Sequence, residues 1–107
     1  MSNDSASAPS DRPRPRRIVV AGLTPVGEGV TDPEVDEVLV RRARALRDAG
    51  TEVIWAGSGL LAEQVAAIAV SEDADGVEVA PAESAAEVTG ALTRLEVDDV
   101  EVVAAAR

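Results

Sequence analysis

The sequence predicts an α/β fold built on a parallel sheet of about four strands, and three observations carry that expectation. From Arg17 onward, β-branched runs alternate with runs of helical periodicity. The helical runs are long enough to serve as crossovers between parallel strands, which join by right-handed connections. The first strand-like run, RIVVA at 17–21, is almost uninterrupted in its apolar character, as in strands covered on both faces.

Taken in order, residues 1–15 are rich in Ser, Ala and Pro without apolar periodicity, which predicts a disordered tail ahead of a domain over 16–107. Arg12, Arg14, Arg16 and Arg17 make the end of that tail basic, and a solvated run is the expectation for it. RIVVA is expected to be the central strand. The loop Gly22–Thr31, GLTPVGEGVT, follows at the strand's carboxyl end, where doubly wound sheets hold ligands. Asp32 and Pro33 then read as an N-cap and a proline at the first helical position, and Thr31 with Glu34 has capping-box spacing. The first helix carries its apolar stripe on Val35, Val38, Leu39, Ala43 and Leu46, with Glu37 and Arg41 as an outward pair, until Gly50 stops it. TEVIWA is the second strand and the glycines of GSG are expected to break it. LLAEQVAAIAVSED forms the second helix through Leu61, Val65, Ile68 and Ala69. DGVEVA is the third strand. A third helix near 84–95 is expected to open on a capping box of Ser84 and Glu87, with Val88, Leu92 and Leu95 inward, and a fourth strand to fall around Val100–Val103.

Composition bounds the function. A net charge of -10 opposes binding to nucleic acid or an anionic membrane. The acids crowd the last third, where only Arg94 and Arg107 oppose them, and the chain contains no Lys. Without Cys there is no disulfide, thiolate nucleophile or thiolate metal site, and with no signal peptide evident a cytoplasmic location is expected. The absence of His removes the commonest general base and metal ligand. Trp55 is the only aromatic residue, so no base-stacking platform or aromatic cage can form. No catalytic constellation and no metal-ligand set is present.

Two glycine-containing stretches are the candidate binding segments: Gly22, Leu23, Thr24, Gly27, Glu28 and Gly29 after the first strand, and Gly57, Ser58 and Gly59 after the second. The second, with Ala62, has the G-x-G-x-x-A form of a dinucleotide fingerprint, and Glu78 lies about where a ribose-binding acid would fall. A short glycine turn from strand to helix is the plainer reading of that pattern.

Between Arg17 and Asp75 the sequence resembles the cobalamin-binding domain of methylmalonyl-CoA mutase and its relatives. RRIVVAG is similar to that family's opening strand, RALRDAGTEVIWAG to its first helix end and second strand, and EQVAAIAVSEDADGV to its second helix and third strand. The resemblance implies a flavodoxin-like, Rossmann-like sheet in order 2-1-3-4, cobalamin docked on the carboxyl ends of the strands, and a mutase large subunit as partner, with a barrel domain there to handle the acyl-CoA. The family's fifth strand and last helix have no counterpart in this sequence, so the resemblance is to a truncated form.

The departures fall on functional positions. Where the family's D-x-H-x-x-G loop supplies the cobalt-ligating histidine, this chain has Val26, Gly27 and Glu28, and where the family has a serine-rich strand end it has Ala80, Pro81 and Ala82. A carboxylate oxygen is a hard donor and replaces imidazole on cobalt poorly. The expectation is an accessory, non-catalytic relative with weak or lost corrinoid binding, any bound cofactor keeping its own lower base. If the chain is part of an enzyme, that enzyme is a cobalamin-dependent mutase. The alternatives are a protein-protein interaction module without ligand and a nucleotide-binding module. Self-association through the edge of the fourth strand is also expected, because Val100, Val102 and Val103 would stand on an unpaired edge tempered by Asp98, Asp99 and Glu101.

Overall fold

The computed structural model describes residues 14–23 and 32–105. Strands and helices alternate strictly within them: β1 (Arg17–Leu23), α1 (Pro33–Asp48), β2 (Glu52–Leu60), α2 (Ala62–Ser71), β3 (Gly76–Ala80), α3 (Ser84–Arg94) and β4 (Glu101–Ala104). All pairings are parallel, and the strands lie in order β2-β1-β3-β4, the expected flavodoxin-like arrangement. Apart from Arg14 and Pro15, the segment expected to be a tail lies outside the described residues, as does Thr24–Thr31.

β1 is central because it can be covered on both faces. Ile18 and Val20 face α1, where Val38, Leu39 and Ala43 pack over them, and Val19, Ala21 and Leu23 face α2 and α3. Without Phe or Tyr, the core is built from Val, Leu and Ala, each Val or Leu contributing about 1.5–3 kcal/mol of burial. Ala66, Ala69 and Ala91 let α2 and α3 approach the sheet and each other closely.

The helix ends explain themselves locally. Asp32 caps α1, its Oδ1 accepting from Glu34 N–H at 2.9 Å, and Pro33 occupies the first turn as expected. All three helices close with the same pair of backbone bonds past the last turn, as in Thr51 N–H to the Leu46 carbonyl (2.9 Å), Ala74 to Ala69 (2.9 Å) and Val97 to Leu92 (3.0 Å). The motif needs a left-handed residue. α1 uses Gly50, whereas α2 and α3 place Asp73 (φ 53°) and Glu96 (φ 61°) there.

Three sequence expectations are corrected. β2 does not break at Gly57–Gly59 but continues through them to Leu60, and α2 begins at Ala62. Pairing with β1 persists because the strand bulges, Ala21 standing opposite Gly57 and Leu23 opposite Leu60. The N-cap of α3 is Glu83, not Ser84. A turn through Pro81 and Ala82 has already started the helix, Ser84 N–H donates to the Pro81 carbonyl, and Ser84 itself is buried.

The basic segment also finds partners. Arg14 meets Asp75 at 3.3 Å, Arg16 meets Glu101 at 3.1 Å, and Arg17 meets Glu52 at 3.1 Å while donating to the Glu72 carbonyl at 2.8 Å. Arg17 N–H donates to Asp75 Oδ2 at 2.8 Å. On the α1 side of β3, Arg42 reaches from α1 to Glu78 with both ends of its guanidinium, at 2.8 and 3.2 Å. The hydrogen bond to Glu78 raises the Arg42 pKa above its already strongly basic value, so the guanidinium stays charged through neutral and mildly alkaline pH.

Candidate functional site

In a 2-1-3-4 sheet the direction of winding reverses between β1 and β3, and the crevice outside the carboxyl ends of those strands is where such sheets bind ligands. A cleft of about 370 Å³ lies beside it, between the start of α1 and the ends of β3 and β4. Its floor and walls are Ala80, Pro81 and Ala82 at the end of β3, Ala105 beyond β4, and Val35 and Val38 of α1. Asp32 and Glu34, in the first turn of α1, supply its polar rim.

The charge of that rim decides what it accepts. A helix amino terminus ordinarily favours anions, but here Asp32 already takes the Glu34 amide and Glu34 adds a second carboxylate. No cation lines the cleft among the described residues. Phosphate is therefore disfavoured, and a neutral, largely apolar group with hydrogen-bond donors at its periphery fits better.

The residues singled out in the sequence sit elsewhere. Thr24, Gly27, Glu28 and Gly29 lie outside the described residues. Gly22 faces no ligand: it is covered by α1 so closely that a Cβ there would lie 2.9 Å from Leu39 Cδ1, Val35 Cγ1 and Ser58 Cβ alike. Leu23 is buried at 5% exposure, its side chain in the α2 and α3 core. Gly57 and Gly59 hold left-handed backbone (φ 85° and 75°) inside β2, an edge strand among the described residues. Ser58 Oγ donates to Asp36 Oδ1 at 2.5 Å, tying β2 to the first turn of α1. The structure thus brings Gly22 and Ser58 together beneath α1, but neither lines the cleft.

That geometry removes the context a dinucleotide fingerprint requires. The glycines are not the turn into a helix, and Glu78 is committed to Arg42 in the middle of β3. Of the residues that do line the cleft, the sequence marks Asp32 as a cap, Val35 and Val38 as a helix stripe, and Ala80, Pro81 and Ala82 as standing at the resembled family's serine-rich strand end. The available signal was topological, since the helix following β1 of a parallel sheet presents its first turn to the crevice. Among the described residues no group of His, Cys, Asp or Glu could hold a metal ion, and no helix is long and apolar enough to cross a membrane.

Comparison with protein-family models finds no match, and comparison with curated proteins likewise finds none.

Proposed function

We propose that this chain is a non-catalytic module of the cobalamin-binding-domain type, an accessory unit that docks a corrinoid weakly at the carboxyl ends of its strands. The observation that carries the reading is the cleft with Val, Ala and Pro walls and an acidic rim beside the switch point of a 2-1-3-4 parallel sheet. The resemblance over Arg17–Asp75 supplies the ligand class. The neutral, amide-fringed edge of a corrin suits walls of Val, Ala and Pro with two carboxylates to accept its N–H groups. No imidazole exists to coordinate cobalt, and the carboxylates present are poor substitutes. The cofactor therefore keeps its own base on the metal, and the partner implied is a mutase large subunit.

Titration with cobalamin, followed by absorption and by electron paramagnetic resonance of the cobalt(II) form, tests this. The expected result is saturable binding of micromolar or weaker affinity with the cofactor's base retained. No binding at saturating cobalamin overturns the reading. A base-displaced spectrum with submicromolar affinity overturns the assignment of the lower ligand. A second reading, an interaction module with no ligand, is favoured by one observation: Trp55 stands 45% exposed beside an exposed Val40.

A further inference from the structure

A tryptophan buries more apolar area than any other side chain, and the only one in this chain is left half in water. Trp55 shares a groove of about 320 Å³ with Val40, Ala43, Arg44, Arg47 and Asp48, between the flank of α1 and the outer edge of β2. Arg44 and Arg47 have no ion-pair partner among the described residues. The groove is thus an apolar centre whose rim sets two arginines against the single carboxylate of Asp48, leaving it net positive.

The opposite edge of the sheet carries its complement. Val103 of β4 is 42% exposed, and Asp98 and Asp99, both exposed, lead into that strand. The register sets the two edges at one level: Val20 stands between Trp55 and Glu78, and Glu78 stands beside Val103. Both side chains also lie on the α1 face, Trp55 among α1 residues and Val103 beside Ile18 and Leu46. Because α1 runs back against the strands, its last turns with Arg44 and Arg47 lie toward the amino ends of the sheet, the end from which Asp98 and Asp99 enter β4.

We propose that the groove is occupied by a second copy of this chain, the outer edge of its β4 adding in parallel to the outer edge of β2. In that register Glu101–Val103 of one copy run beside Val53–Trp55 of the next, ahead of the bulge at Gly57, with Val103 against Trp55 and Asp98 and Asp99 beside Arg44 and Arg47. The outer edges of β2 and β4, unpaired among the described residues, supply the backbone bonds. Like edges gain nothing from this complementarity, since a two-fold pairing of β4 edges is antiparallel and leaves Asp98 and Asp99 away from Arg44 and Arg47. The contact is therefore heterologous, each copy offering a different surface on either side, and assembly grows beyond a dimer.

The test uses the full chain. Light scattering across a concentration series is expected to give masses rising above the 11.0 kDa of one chain, with Trp55 emission shifting to the blue as mass rises and both effects weakened by salt. Two double variants at exposed positions separate the edges: Arg44→Glu with Arg47→Glu, and Asp98→Arg with Asp99→Arg. Each alone is expected to stay monomeric with native circular dichroism. Their equimolar mixture is expected to regain growth with the two variants alternating, because the intact pair of edges is joined by a second pair in which the charges are exchanged. A wild-type mass of one chain at every concentration with unmoved emission overturns the proposal. So does a dimer that persists in both variants, or a mixture that forms no complex.

Discussion

Gly22→Ala tests whether this glycine serves packing. A methyl at that position meets three carbon atoms at 2.9 Å, where ordinary contacts begin near 3.4–4 Å. Leu39 Cδ1 and Val35 Cγ1 could yield by rotating. Ser58 Cβ cannot rotate away, because it is fixed to the backbone of β2, in the bulge held between the Gly57 and Leu60 pairings with β1. Either α1 lifts from the sheet by a few tenths of an ångström or the strand pairing strains. Overpacking of this kind costs about 1–3 kcal/mol, and the entropy that alanine removes from the unfolded chain returns about 0.4–1 kcal/mol. The net expectation is a loss of about 1–2 kcal/mol, a fall in melting temperature of roughly 4–9 °C for a chain of this size. Urea unfolding followed by far-ultraviolet circular dichroism is the assay, since Trp55 is too exposed to report well on unfolding. A coupled variant sharpens it. Leu39→Ala alone opens a cavity at about 2–5 kcal/mol, but it also vacates one of the clashing positions, so the double variant should lose less than the sum of the two. A Gly22→Ala protein as stable as wild type, or strict additivity with Leu39→Ala, would refute the close-packing account.

Two further predictions follow from particular contacts. Glu78→Gln and Arg42→Met should each destabilise by about 1–2 kcal/mol, between the exposed and buried limits for ion pairs, because Glu78 is largely covered. A double-mutant cycle by urea unfolding should show favourable coupling between them, unchanged from neutral to mildly alkaline pH. Additive losses would mean the pair is incidental. Glu96→Gly should stabilise by about 0.5–1 kcal/mol, since Glu96 holds a left-handed backbone that glycine adopts freely. A lower urea midpoint would show that the Glu96 side chain has a use its surroundings do not reveal.

Much of the fold was legible because its signals are local. The apolar run of β1, the Asp32–Pro33 start of α1 and the Gly50 stop each occupy a few adjacent residues, and parallel order follows from alternation. The error at β2 has a physical cause. A bulge inside a strand and a turn out of one both call for glycine at positive φ, so GSG cannot be assigned without knowing that β1 continues alongside. The cleft was less legible still. Its lining comes from α1, the end of β3 and the residue after β4, and each side chain had a sufficient local explanation as cap, stripe or strand end.

The ion pairs at the amino end of the sheet were readable in principle, and the route to them is instructive. In an all-parallel sheet every strand begins at the same end, so residues that lead into different strands become neighbours whatever their separation in sequence. Arg14, Arg16 and Arg17 lead into β1, Glu52 opens β2, Asp75 precedes β3 and Glu101 opens β4. Since β1 lies between β2 and β3, cations ahead of it must stand among those acids, and Arg16 reaches across the end of β3 to Glu101, its guanidinium over Gly76, where a Cβ would lie 3.4 Å away. Individually such exposed pairs contribute little. Together they favour β1 between β2 and β3, because moving it outward would take its cations away from Glu52 or from Asp75. Charge here acts on strand order more than on depth of stability, and it does so from a stretch whose composition alone suggests only a solvated tail.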